Sequence, residues 1–152
     1  MARNRHHFAH VQRPVGVRGH KYRSKAESNY AAYLEWLKGL GQIADWKYEQ
    51  VEMWFTPWPP PVRKKRKRAT VWTNPATLGL TGISKGRTTC VLDFSVDWRP
   101  GPPGYVEVKG YLDARSKTLL DRVRRYFPGI RLDVIGSKEM RILGRQVGGI
   151  VP

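Results

Sequence analysis

The chain has 152 residues, enough for one domain with a sizeable core and short for two. Lysine and arginine outnumber aspartate and glutamate 28 to 12, a net charge of +16, so a polyanionic partner is expected: nucleic acid first, an acidic membrane surface as the rival. No apolar run has the length of a membrane-spanning helix, no signal-peptide pattern opens the chain, and the single cysteine, Cys90, excludes an intrachain disulfide and a cysteine-rich zinc cluster.

Residues 1–20 are polar and basic without periodicity and read as a flexible arm that orders on a partner. Arg3, Arg5, Arg13 and Arg18 suit a grip on phosphates, with Lys21, Arg23 and Lys25 continuing the basic face. His6, His7 and His10 have no acidic or sulfur ligand nearby, so phosphate contact is preferred there over metal binding.

A first helix is expected from Ser24, where Ser24-Lys25-Ala26-Glu27 fits a capping box. Ala26, Tyr30, Tyr33, Leu34, Leu37 and Leu40 recur at helical spacing, and Gly39 and Gly41 stop the run. Ile43–Phe55 reads as one strand, ended by the proline-rich stretch 56–61. Within the loop 57–70, Arg63, Lys64, Lys65, Arg66, Lys67 and Arg68 repel one another and must be solvated, so they suit a phosphate track. Trp54, Trp58 and Trp72 are expected in a core or interface, with stacking on unpaired bases as the alternative. Residues 74–87 read as a loop over the site.

Val91–Trp98 alternates, with Leu92, Phe94, Val96 and Trp98 on one face and Asp93, Ser95 and Asp97 on the other. Arg99-Pro-Gly-Pro-Pro-Gly104 must turn, and Tyr105–Gly110 returns as a strand with Glu107 and Lys109 on one face. Cys90 falls among apolar residues and reads as core. Asp113–Phe127 reads as a second helix, with Leu119, Leu120, Val123 and Phe127 inward and Arg115, Lys117, Arg122 and Arg125 forming a basic flank. Ile130–Ile135 is a buried-type strand, Ser137–Leu143 a short last helix, and 144–152 a glycine-rich tail. The folded domain is thus bounded at 21–143.

The hairpin brings Asp93, Glu107 and Lys109 to one polar face. Two carboxylates in contact repel and favour a shared divalent cation, for which oxygen ligands of this kind suit Mg²⁺. The plain alternative is a hairpin with a cross-strand ion pair, worth under about 1 kcal/mol. Asp97 shares the predicted face of Asp93, and register alone does not separate them. Glu27 on the flank of its helix serves as a cap, as a third carboxylate of the site, or as both.

Asp93…Glu107-Val108-Lys109, with Glu27 in the preceding helix, resembles the core of the PD-(D/E)XK nuclease superfamily over roughly Tyr22 to Ile135. Leu92 stands where that pattern often has proline. Within the superfamily the chain is most similar to the Holliday junction resolvases of archaea and phages, including the endonuclease I type, and it is also similar to small phage nucleases with a serine-lysine-x-glutamate helix start. The resemblance implies an α/β, restriction-endonuclease-like core: helix, three-stranded meander, helix, strand, with a mixed central sheet flanked by helices. It implies Mg²⁺, with Mn²⁺ as a substitute, held by Asp93, Glu107 and the Val108 carbonyl with Glu27 nearby. Lys109 would orient the attacking water, and cleavage would leave a 5′ phosphate. The family match favours Asp93 over Asp97. The implied substrate is branched DNA, a four-way junction cut by a homodimer. A cytoplasmic location is expected (the host cytoplasm if phage-encoded), with no membrane and no small-molecule cofactor. Two alternatives stand: another phage or repair nuclease on the same core, acting on branched or duplex DNA, and a non-catalytic basic nucleic-acid-binding protein.

Overall fold

In the computed structural model, residues 16–56, 58–60, 68–80 and 88–146 are described. Arg3, Arg5, Arg13, the three N-terminal histidines, the run Arg63–Lys67 and residues 81–87 and 147–152 lie outside them. The fold is mixed α/β, with two mixed sheets and three α-helices among the described residues.

The larger sheet has the order β1-β5-β6-β7, formed by β1 (Ile43–Tyr48), β5 (Phe94–Trp98), β6 (Gly104–Val108) and β7 (Arg131–Ile135). β1 and β5 pair antiparallel, β5 and β6 form the expected hairpin, and β7 lies parallel to β6. That last pairing needs a crossover, supplied by helix α2 (Ala114–Tyr126). Both faces of this sheet are covered, as its strands' period-2 patterns require. On one side Phe94, Val96, Val106 and Val108 pack with Trp46 and with Tyr30, Leu34 and Leu37 of helix α1 (Lys25–Gly39). On the other, Tyr105, Leu132 and Val134 meet Leu120, Val123 and Tyr126 of α2. Helix α3 (Ser137–Gln146) returns to the α1 side through Met140 and Leu143.

The single strand expected over 43–55 is two strands. β1 ends at Tyr48, and β2 (Val51–Trp54) belongs to the smaller sheet, order β3-β2-β4, with β3 (Ala69–Trp72) and β4 (Thr89–Val91). β2 runs parallel to β3 and antiparallel to β4. Between the ladders β1·β5 and β2·β4 the register slips by one residue. The extra residue is Glu49, a bulge with φ +47°, whose N–H donates to the Asp93 carbonyl at 2.9 Å. The facing strand breaks at the same level. Leu92 packs with Met53 and Cys90 on the α2 side, whereas Phe94 packs on the α1 side. The uninterrupted alternation expected for Val91–Trp98 therefore fails at Asp93, where the chain passes from one sheet to the other.

α1 begins as expected, with the Ser24 hydroxyl accepting from the Glu27 N–H at 3.1 Å. α2 is capped by Asp113, whose carboxylate accepts from the Ser116 N–H at 2.7 Å. α3 continues to Gln146, past the predicted tail boundary at 144. Gly104 sits close against its neighbours: a Cβ there would meet Trp98 Nε1 at 3.1 Å and Arg131 Cβ at 3.2 Å, so a side chain would require them to give by a few tenths of an ångström. The Arg131 guanidinium lies over the Trp98 ring at 4.1 Å and closes that corner.

The described end of the predicted arm, Gly16–His20, is anchored on α1 and β1. Arg18 ion-pairs with Glu35 and Asp45, each at 3.0 Å, donates to the Trp46 carbonyl at 2.9 Å and lies over the Trp46 ring at 4.2 Å. Arg18, expected from sequence to contact phosphates, ties residues 16–20 to the body, because two acids and an indole face converge on it. Trp58 is 69% exposed and so is not in the core, while Trp54 and Trp72 are half-buried and Trp72 donates to the Thr56 carbonyl at 2.8 Å. No helix among the described residues is long and apolar enough to cross a membrane.

Candidate functional site

The hairpin register pairs Phe94 with Val106, so Asp93 and Glu107, one step further out, stand opposite each other where the two sheets part. The Asp93 N–H donates to Glu107 Oε2 at 3.3 Å, and the Val108 N–H donates to Asp93 Oδ2 at 2.8 Å. Both carboxylates are buried, Asp93 at 1% exposure and Glu107 at 6%. Burial, then the negative charge of Glu107, push the Asp93 carboxyl up to about 7 against the pull of the Val108 N–H; Glu27 adds to the rise and Lys109 opposes it. A buried carboxyl held this high marks a place that favours a proton or a cation.

Two cations answer the pair. Lys109 Nζ lies 2.8 Å from Glu107 Oε1. Burial acts to lower the Lys109 ammonium, but the hydrogen bond and charge of Glu107, with the charge of Asp93, outweigh it and hold it above the ordinary lysine value. Arg23 Nη2 lies 3.3 Å from Asp93 Oδ1 and also pairs with Glu49, which Arg68 approaches at 3.5 Å. The Arg68 Nε donates to the Glu49 carbonyl at 2.7 Å.

Glu27 is buried one step removed from the pair, with both carboxylate oxygens occupied. Oε1 accepts from the Ser24 hydroxyl at 3.1 Å, while Oε2 accepts from the Tyr48 hydroxyl at 2.5 Å and the Arg23 N–H at 3.1 Å. Burial, then the bond to Glu27 and its charge, raise the Tyr48 phenol. Glu27 thus caps α1 and also fixes the base of Arg23, whose guanidinium reaches Asp93.

Glu107 faces a cleft of about 320 Å³, lined also by Arg23, Glu49, Arg68, Lys109 and Arg115, with Leu119 and Leu120 of α2 beside them; Asp93, bonded to the lining Arg23, does not itself line it. Of the other predicted nucleic-acid contacts, Lys21 and Lys117 are exposed and do not line this cleft, and Lys25 lines a neighbouring groove. Asp97 is exposed, unlike Asp93. Tyr48, Glu49 and Arg115 complete the site and were not assigned to it from sequence; the signal for Glu49 was the polar Glu49-Gln50 step where the apolar phase of the strand changes.

Among the described residues there is no group of three or more His, Cys, Asp or Glu that could hold a metal ion. Mg²⁺ commonly takes one or two carboxylates and completes its shell with water and phosphate oxygens, and the all-oxygen pair Asp93 and Glu107 fits that donor set without a third ligand. No family model, curated protein or solved structure matches the chain significantly.

Proposed function

We propose that the protein is a metal-dependent endonuclease with a restriction-endonuclease-like core, acting on branched DNA and resolving four-way junctions as a homodimer. One observation carries the proposal: a buried Asp93–Glu107 pair, opposed across the β5–β6 hairpin, with Lys109 ion-paired to Glu107 in a cleft otherwise rich in arginine. The order of helix, antiparallel strands, helix and parallel strand supports the same reading, with the small sheet as an insertion between β1 and β5.

Asp93 and Glu107 would hold Mg²⁺, which when bound supplies charge to offset that building on a phosphodiester under attack. Lys109 keeps its proton and presents it beside Glu107, where it can hold a water or donate to a phosphate oxygen. Arg68 and Arg115 offer fixed charges to the flanking phosphates. The Glu27–Tyr48 bond holds the backbone from which Arg23 reaches Asp93.

The test is cleavage of a synthetic four-way junction beside a linear duplex of equal length, with and without Mg²⁺, by wild type and Asp93→Asn. Paired nicks in the junction, dependent on Mg²⁺ and lost in the variant while binding persists, are expected. Equal cleavage of both substrates would remove the junction preference and leave the nuclease. Tight binding by both proteins with no cleavage would leave a nucleic-acid-binding protein.

A further inference from the structure

A second concavity of about 530 Å³ lies next to the carboxylate cleft, between the first turn of α1 and the helix α3. Lys109 lines both, so the two spaces are neighbours across one side chain. Four cations face the groove: Lys25 from α1, Lys109 from the end of β6, and Arg141 and Arg145 from α3. Among the described residues no carboxylate lines it. Its floor is different in kind, formed by Val108, Ile135 and Met140 with the backbone of Gly110 and Gly136.

The groove is held in shape by hydrogen bonds that do not depend on a ligand. The Lys109 N–H donates to the Ile135 carbonyl at 2.9 Å, and the Ser137 hydroxyl donates to the Gly110 carbonyl at 2.9 Å. The start of α3 is thereby fixed to the segment that carries Lys109. Glu139, the acid of the first turn of α3, accepts from the Gly136 N–H at 3.0 Å and is turned to the backbone.

A cationic rim over an apolar floor calls for an occupant that is anionic along one side and apolar along the other. A nucleic-acid strand has that chemistry, with phosphates outward and sugars and base faces between them. The geometry points to this groove as the seat of the strand segment that flanks the phosphodiester at Lys109, with Arg141, Arg145 and Lys25 on its phosphates. This inference rests on the nuclease reading of the adjoining cleft and extends its binding surface to a helix that the sequence motif does not include.

The experiment measures binding of a fluorescein-labelled four-way junction by anisotropy in EDTA, so that nothing is cut, over a series of salt concentrations. The test variant is Arg141→Gln with Arg145→Gln, and the control is Lys47→Gln with Arg124→Gln, which removes the same charge from exposed residues that line neither space. Circular dichroism establishes that α3 remains folded. The expected result is a loss of about tenfold in affinity for the test variant alone, with its log–log salt slope reduced by about 1.5 to 2, near that for two lost phosphate contacts. Equal losses in both variants, or none in either, would overturn the groove. Displacement of the junction by polyglutamate as readily as by unlabelled DNA would also overturn it, in favour of an acidic peptide. Because the readout is binding, a protein that binds but never cuts would end the nuclease reading and still decide the groove.

Discussion

At the residue scale, Asp93 carries an energetic conflict that only a proton or a cation relieves. Its folded-state carboxyl is raised from 3.8 to about 7 by burial and by Glu107, so between those values the folded chain binds the proton that the unfolded chain has released. Stability from this group is therefore fully present below about pH 4 and is lost as pH rises through about 7. Asp93→Asn keeps an acceptor for the Val108 N–H and removes the charge. We expect it to be more stable than wild type by about 2 kcal/mol at pH 8, with no gain at pH 4, as measured by urea unfolding in EDTA. Adding Mg²⁺ at pH 8 should then raise the midpoint of wild type and leave the variant unmoved. A variant no more stable than wild type at pH 8 would mean that Arg23 and Lys109 already neutralise the pair.

At the scale of elements, the Glu49 bulge is the device that assembles the site. By inserting one residue it lets the paired strands leave the large sheet together, and it sets Glu49 beside Arg23 and Arg68 at the mouth of the cleft. Its positive φ suits glycine and strains a residue with a Cβ by roughly 1 kcal/mol. Comparing Glu49→Gly with Glu49→Ala removes the carboxylate in both and isolates the backbone. The glycine variant should unfold at higher urea by an equivalent of about 1 kcal/mol, and equal midpoints would show that the bulge relaxes in solution. The sequence did carry this feature. Trp46 and Tyr48 keep one phase and Val51, Met53 and Phe55 the other, a slip that a single strand cannot hold without a bulge or a break. That Glu107 faces an acid of the preceding strand was legible from the hairpin, but the choice of Asp93 over Asp97 came from the motif resemblance, because register alone left both open; the observed register sets Asp93 opposite Glu107. Other contacts were not, because period-2 and period-3.6 patterns assign faces and say nothing of which distant side chains meet. In sequence Arg18 looks like the other arginines of the basic arm, and only the fold brings Glu35, Asp45 and Trp46 around it. The smaller sheet stayed hidden because β3 and β4 are four and three residues long, too short for their alternation to stand out.

At the scale of the whole molecule, the described residues present one carboxylate cleft, while the four-way junction resolution proposed above takes two cuts on opposed strands. A single subunit would have to release and rebind between them, so near-simultaneous cutting requires two clefts held together, which a pair of subunits related by a two-fold axis supplies. Mixing wild type with an excess of Asp93→Asn tests this directly. If the protein works as a dimer, most wild-type subunits are then paired with inactive ones that still bind. Supercoiled plasmid carrying a cruciform should shift from linear product, the signature of paired cuts in one binding event, to nicked circles. Wild type alone should lose the same coordination on dilution, as dimers dissociate before the junction is released. If linear product instead persists in proportion to the wild-type protein present, whatever the excess of the variant, each subunit acts alone. The net charge of +16 would then serve to hold one subunit on branched DNA through successive cuts, and that retention should weaken steeply as salt rises.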